Sequence, residues 1–388
     1  MSEWKEYKLG ELIQSISETY KFKPREKVVF LNTSDILDGK FLTDNLSEAS
    51  TLPGQAKKKI QKGDILYSEI RPANKRFALV DFDCDNYVVS TKLMVLRCND
   101  NVDNRFIYNY LTSKEVLEYL QMVAEDRSGT FPQITFDIIA NMDIELPTID
   151  EQRRIASILT SLDDKIDLLR RENATLEAMA ETLFRQWFVE EAKEEWEEGK
   201  LGDYVDVVDN RGKTPPYVNH VTEYPIIEVN ALTGNERHVN YDAVRKYVTK
   251  EVKDSWFRGY LQKNDILVST VGSIGELAMC LEEKGVIAQN VIALHASKIS
   301  PFYLYQYLLL NKDDLKGLDI GSVQPSIKVP HLLRMPIVLP PINLLNKYDS
   351  IMEEIIEKEK NINKQIQTLI QTRDGLLPRL MSNEIKLI

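Results

Sequence analysis

One feature governs everything else in this 388-residue sequence: most of it is written twice. Trp4-Lys5-Glu6-Tyr7-Lys8-Leu9-Gly10-Glu11-Leu12 returns as Trp196-Glu197-Glu198-Gly199-Lys200-Leu201-Gly202-Asp203-Tyr204. Lys62-Gly63-Asp64-Ile65-Leu66-Tyr67-Ser68 returns as Lys263-Asn264-Asp265-Ile266-Leu267-Val268-Ser269. Phe106-Ile107-Tyr108-Asn109-Tyr110-Leu111 resembles Leu304-Tyr305-Gln306-Tyr307-Leu308, and the run from Pro132 to Pro147 matches that from Pro325 to Pro340. The offsets are 192, 201, 197 and 193; they drift as loops lengthen and shorten, then close again. Four matches in one order mean two copies of one unit. Its period far exceeds the roughly 20–50 residues of solenoids and propellers. Each copy must therefore hold a globular body and something more.

The something more is a long helix. After Pro147, apolar residues recur every seven positions at Ile155, Leu162, Leu169, Leu176 and Leu183, interleaved with Leu159, Ile166, Asn173, Ala180 and Trp187. That is an a/d stripe over nearly five heptads. The second copy gives Tyr348, Ile355, Ile362, Leu369 and Leu376, interleaved with Met352, Glu359, Ile366, Arg373 and Leu380. Pro340-Pro341 opens this helix and Pro378 is expected to end it. Asn173, Glu359 and Arg373 are polar intrusions into the seams, Asn173 being suited to fixing register. Stripes this long need a similar partner, so the two helices are expected to pair as an antiparallel coiled coil.

Each globular half mixes short β-rich runs with helices. Val28–Leu31, Asp64–Ser68 and Leu93–Leu96 read as strands, and Arg105 to Leu120 as a helix. The second half repeats this with Ile226–Val229, Ile266–Ser269, Val291–Leu294 and a helix near Phe302–Asn311. Gly272 and Gly275 suit a tight turn after the Ile266–Thr270 run. The expected architecture is α+β: two globular α/β heads separated by two long helices, with internal pseudo-two-fold symmetry. The expected boundaries are 1–146 for head one, 147–195 for the central helix and its acidic tether, 196–339 for head two, and 340–388 for the C-terminal helix.

Composition excludes several classes. Hydrophobic residues at 43% and charged residues at 28% are ordinary for globular chains, and no apolar run approaches the roughly 18 residues of a membrane span. Three cysteines (Cys84, Cys98, Cys280) make no disulfide framework and fit a reducing cytoplasm. The histidines (His220, His238, His295, His331) lack metal-ligand spacing, so no metal is expected. Net charge is −11, divided over the four segments as −4, −5, −2 and 0. The acid is densest in the central helix and tether, which leaves room for local basic surfaces on the heads.

Catalysis finds little footing. Thr214-Pro215-Pro216-Tyr217 resembles the Asp/Asn/Ser-Pro-Pro-Tyr/Phe motif with which amino-methyltransferases hold adenine, but threonine fits its first position poorly. Val271-Gly272-Ser273-Ile274-Gly275 lies downstream and has no βαβ frame for a cofactor. Asp64 and Glu69 near Arg71 do not assemble a nuclease centre. There is no Gly-x-x-x-x-Gly-Lys-Ser/Thr loop and no nucleophile elbow. The chain reads as a non-enzyme. Two heads on helices of about 60 Å would suit a bipartite DNA site whose half-sites differ, because the heads differ. Repeat and heptads alone do not say that the ligand is DNA.

A resemblance does. Leu146-Pro147-Thr148-Ile149-Asp150-Glu151-Gln152-Arg153-Arg154-Ile155-Ala156-Ser157-Ile158-Leu159, followed by Leu162-Asp163-Asp164-Lys165-Ile166, is similar to the central conserved region of type I restriction–modification specificity (S) subunits. So are the Gly-Asp-Ile-Leu element at 63–66, its Asn264 counterpart, the Val271–Gly275 turn, and the ending Gly375-Leu376-Leu377-Pro378-Arg379-Leu380-Met381. The second copy departs from the pattern, with Asn343-Leu344-Leu345-Asn346 in place of Glu-Gln. The resemblance implies two target-recognition domains, each reading half of a split, asymmetric double-stranded DNA site, and a coiled coil that sets the spacer and docks two methyltransferase (M) subunits. It implies no cofactor in this chain; S-adenosylmethionine, ATP and Mg belong to the M and the restriction/translocase (R) subunits. A cytoplasmic protein without membrane contact is implied.

The densest basic stretch of head one is Lys57, Lys58, Lys59, Arg71, Lys75 and Arg76; that of head two is Arg211, Lys213, Arg237, Arg245 and Lys246. Lysines suit phosphates, while arginine, Asn or Gln can read base edges. Gln133 and Gln324, beside the repeated Pro-x-Ile elements, join them as expected base readers. For any one of them taken singly, an ordinary solvated side chain is the commoner reading. The expected coiled-coil core is Ile155, Leu159, Leu162, Ile166, Leu169, Asn173, Leu176 and Leu183 against Ile355, Ile362, Ile366, Leu369 and Leu376. A coiled-coil scaffold that binds only proteins is the rival; a DNA reader loses affinity log-linearly with salt, and a scaffold retains no DNA at all.

Overall fold

The computed structural model describes residues 4–127, 132–212, 214–234, 237–321, 324–382 and 384–385. The chain forms two compact units, residues 1–167 with 367–388, and residues 168–366. Each unit holds one head and a stretch of both long helices.

The heads share a plan. In the first, the entering strand Lys5–Lys8 pairs antiparallel with the leaving strand Asp143–Leu146. A four-stranded sheet runs in the order Ile13–Ser15, Leu93–Cys98, Ile65–Ser68, Phe77–Leu79, and a second in the order Leu46–Glu48, Lys27–Leu31, Tyr87–Ser90, Ala56–Lys59. In the second head, Glu197–Lys200 pairs with Pro336–Leu339. Its larger sheet runs Val205–Val208, Val291–Ala296, Asp265–Ser269, Leu277–Cys280, and its smaller one Tyr247–Val248, Tyr224–Ile227, Val286–Ile287. One parallel pair recurs in the same place, Lys27–Leu31 with Tyr87–Ser90 and Tyr224–Ile227 with Val286–Ile287. The central strands are buried on both faces, which explains their continuous apolar runs.

The expected Arg105–Leu120 helix is two helices, Asn104–Leu111 and Lys114–Arg127. Thr112 turns its hydroxyl onto Tyr108 O, and Ser113 Oγ accepts from Val116 N–H, so two hydroxyl residues end one helix and start the next. The second head keeps the first of these as Pro301–Leu310, with Ser300 capping where Asp103 caps in head one.

The long helices are Ile149–Arg185 and Ile342–Met381. Pro378 does not end the second; it sits in the last turn, where only one N–H is forfeited. Within the first unit the helical stretches run antiparallel, with Asp163 on Arg373 and Ile155 and Leu159 in one apolar cluster with Leu380. Within the second they do so again, with Glu172 on Lys358, Asn173 on Asn363, and Phe184 beside Tyr348. Ile155, Leu159, Ile166, Leu169, Asn173, Leu176, Ile355 and Ile362 are buried, while Leu162, Ile366, Leu369 and Leu376 are half-buried. The stripe drifts at its far end. Leu183 is only half-buried, and Phe184 and Phe188 take the inner positions. An α-helix gains about 20° per heptad on a seven-residue repeat, and the π turn Gln186–Glu190 adds to that rotation. No helix among the described residues is long and apolar enough to cross a membrane.

Candidate nucleic-acid interface

Each head builds a turn at the end of a buried strand, largely exposed in head one and, in head two, exposed only at Ser273. The strand begins on a carboxylate. Asp64 and Asp265 are both fully buried, and each accepts a backbone N–H from three residues earlier, Gln61 at 2.9 Å and Gln262 at 2.8 Å. The residue before each, Gly63 or Asn264, is left-handed (φ 95° and 68°), which accounts for the Gly-Asp and Asn-Asp pairs of the repeat. The carboxylates differ in partner. Arg97 grips Asp64 through two nitrogens at 2.7 and 2.9 Å, whereas His295 Nδ1 lies 2.8 Å from Asp265. Burial raises the Asp265 pKa above the ordinary 3.8, opposed by the Gln262 N–H and by His295.

In head one the Ile65–Ser68 strand runs into a turn over residues 69–75, with Arg71 and Lys75 left-handed (φ 45° and 54°) on either side of Pro72–Asn74. Arg71 N–H donates to Pro132 O (3.1 Å), Ile134 N–H to Glu69 O (2.9 Å), and Ala73 N–H to Gln121 Oε1 (3.0 Å). The turn so held presents Arg71, Lys75 and Gln133 to solvent, with Gln133 bridged to Ile70 and Lys75 reaching Asp38 at 3.4 Å. Lys57 and Lys59 stand on the open face of the Ala56–Lys59 strand. Lys58 alternates inward, and its Nζ donates to Leu93 O at 2.7 Å. Burial holds its pKa below the usual lysine value, with Glu69 opposing. Arg76 folds back onto Ser34 O and Ile36 O. Lys58 and Arg76 are therefore structural clamps, a correction to the basic stretch as read from sequence.

Head two repeats the turn with glycines. Gly272 (φ 82°) donates to Pro325 O at 3.0 Å and Ile327 N–H to Thr270 O at 2.8 Å, the counterparts of Arg71 and Ile134. Gln324 is exposed, and a Cβ on Gly272 would stand 3.5 Å from its Nε2. Asp319 accepts N–H bonds from Gly321 and Ser326, which hold its carboxyl below 3.8 and fix the base of that loop. Arg211 joins from another loop. Its Nε and Nη2 bind Asp209 at 2.9 and 2.8 Å, and its Nη1 donates to Thr270 Oγ1 at 3.2 Å. These bonds hold the Asp209 pKa below the usual carboxylate value. Asn210, buried, ties this loop to Gly259 O and to the N–H groups of Arg258 and Gly259. Arg258 donates to Arg211 O (2.7 Å), and Gln289, left-handed at φ 54°, to Thr214 Oγ1 (2.5 Å). Arg211 thus reaches the turn at Thr270 and Gln324 stands beside it at Gly272, while Arg258 and Gln289, which no sequence spacing had signalled, hold the loop that carries Arg211.

Arg245 is exposed with its guanidinium on Asp242 O and Val244 O, and Lys246 pairs with Glu228 at 2.8 Å over the Tyr217 ring; both lie by the smaller sheet rather than at the turn. Lys213 lies outside the described residues. Arg237 is the clearest departure. It is 2% exposed, with Nη2 3.7 Å from Glu359, and cannot meet a phosphate or a base.

The fold and its twice-built turn define a tandem-head class in which one α+β head is duplicated on long helices. A model of the type I restriction modification DNA specificity domain matches residues 1–178 and again residues 193–372. The chain belongs to that family and carries its domain in two copies. Over 191 residues it is 52% identical to the HindI type I restriction enzyme specificity subunit of Haemophilus influenzae, an alignment covering 49% of this chain and 42% of that protein. It is 26% identical over 311 residues to the MjaIX specificity subunit of Methanocaldococcus jannaschii, covering 74% and 70%. The fold is shared with the type I restriction-modification S subunit from M. genitalium, with a TM-score of 0.58 at 16% identity, covering 100% of this chain and 97% of that one.

Proposed function

We propose that this chain is the non-catalytic specificity subunit of a type I restriction–modification complex. Each head reads one half of a split, asymmetric double-stranded DNA site. The helices set the spacer and dock two methyltransferase subunits, and restriction/translocase subunits join the complex in the cytoplasm. S-adenosylmethionine, ATP and Mg would act in those partners. The observation that carries this reading is the duplicated specificity domain, each copy building a turn at the end of its buried strand, with Arg71 and Gln133 exposed at the first and Gln324 exposed beside the second, where Arg211 is half-buried.

In head one Arg71 and Gln133 have the hydrogen-bonding edges to read bases, with Lys57, Lys59 and Lys75 on phosphates. In head two Arg211 and Gln324 take the reading role, Asp209 holding the guanidinium fork in place. The test is a map of N6-methyladenine across the host genome with and without this gene. A split motif that vanishes on deletion is expected. No gene-dependent motif, with the partner methyltransferase shown to be expressed, would overturn the reading in favour of a protein-binding scaffold.

A further inference from the structure

The heptad seams contain three polar residues, and each has a purpose-built partner. Arg373 meets Asp163 at 2.8 Å. Inside the second unit, two consecutive residues of head two reach the other two, Arg237 facing Glu359 directly and His238 reaching Asn173 through Asn363. Arg237 sits with Nη2 3.7 Å from Glu359 Oε1 and its guanidinium 5.8 Å above the Tyr305 ring, while its backbone N–H donates to Glu177 Oε1 at 2.9 Å. His238 Nε2 lies 2.8 Å from Asn363 Nδ2, and Asn363 Oδ1 accepts from Asn173 Nδ2 at 2.7 Å. Asn173 and Glu177 are four residues apart on one helix, as are Glu359 and Asn363 on the other, so each pair shares a face. The probing segment is itself tied into head two, since Met279 N–H donates to Arg237 O at 2.6 Å and His238 bridges to Met279.

Apolar contacts tolerate sliding; these do not. A shift of one helical turn, about 5.4 Å, would bring Ile355 or Ile362 to the place of Glu359 and leave Arg237 buried against hydrocarbon. We propose that Arg237 and His238 are positioning residues that index head two along the helix pair, and that this index fixes the spacing at which the second half-site is read. The inference rests on the DNA-reading function proposed above.

The test uses the full chain assembled with its methyltransferase partner. Adenine methylation is measured on duplexes carrying both half-sites, with the spacer native or changed by one base pair either way. The double variant Arg237→Met/Glu359→Leu replaces the buried pair by apolar groups, an exchange that usually preserves folding. Expected is a preference for the native spacer reduced about tenfold, equivalent to 1.4 kcal/mol, with both half-site sequences unchanged. Glu359→Gln and His238→Ala, run on the same ladder, should relax the spacing in the same direction. A folded double variant with wild-type spacing overturns the index. So does a set of variants that lose activity on all spacers equally, in step with lost thermal stability. A wild-type complex that methylates no split site would instead overturn the DNA-reading function itself.

Discussion

The two heads are seated on their helices by different chemistry. In the first unit the seat is hydrocarbon: Ile155, Ala156, Leu159 and Leu380 continue the core of head one without a break. Gln152 pins the helix start by donating to Pro147 O and accepting from Asp103 N–H. An exposed ion pair also ties the helix to head one, Lys40 to Asp167 at 3.4 Å. In the second unit an aromatic cluster of Phe184, Phe188, Tyr303 and Tyr348 is joined by the buried Arg237–Glu359 pair. Where the second copy lacks Glu-Gln, Ser300 and Asp349 make the head-to-helix hydrogen bond instead. Duplicated sequence thus preserves the joint while its chemistry diverges. The hydrophobic seat supplies stability; the ionic one adds direction.

Removing an aromatic from the second seat should have the largest effect. Phe188→Ala takes away a ring packed 5.0 Å from Tyr303 and 5.1 Å from Tyr348, and is expected to cost about 4 kcal/mol in denaturant unfolding. Leu159→Ala, its counterpart in the first seat, should cost about 3 kcal/mol, and a loss below 1 kcal/mol for either would break the comparison. Next comes the buried carboxylate beneath each turn. Arg97→Met strands Asp64, which is fully buried, and should cost about 3 kcal/mol. The smallest effect is a signed pH response in head two. The folded pKa of Asp265 lies above its ordinary 3.8, so its contribution to stability is complete below 3.8 and is lost as pH rises through the folded value. Unfolding curves across that window should flatten in Asp265→Asn; an unchanged slope would mean that burial of Asp265 has been misjudged.

Much of this molecule was legible in its sequence because repeats and heptads are properties of spacing. The two long helices follow from heptad spacing, and strands such as Asp64–Ser68 and Leu93–Leu96 from their β-rich runs, though which strands pair did not. Phe184 and Phe188 did not, because a fixed seven-residue count ignores the slow rotation of a real α-helix. The burial of Arg237 was invisible for another reason: its partners are Glu177, Tyr305 and Glu359, none within fifty residues, and a charge reads as solvated until its partner is found. Lys58 and Arg76 show the same limit at shorter range. The alternation of a strand turns one lysine of three inward, and a turn swings one arginine back onto carbonyls. Which basic residues face outward is decided by backbone direction, and that is set by left-handed residues such as Arg71 and Lys75, whose side chains give no warning of it.

The pairing of Lys5–Lys8 with Asp143–Leu146, and of Glu197–Lys200 with Pro336–Leu339, has a consequence for how such a chain can change over generations. The polypeptide enters and leaves each head through neighbouring strands, so everything between them is, topologically, an insertion into a helical frame. Exchanging or rewriting that insertion leaves the ends a fixed few ångströms apart and demands no new loop closure. Selection can therefore trade whole heads in and out of an unchanged chassis, and each exchange is tested at one joint rather than across the whole chain.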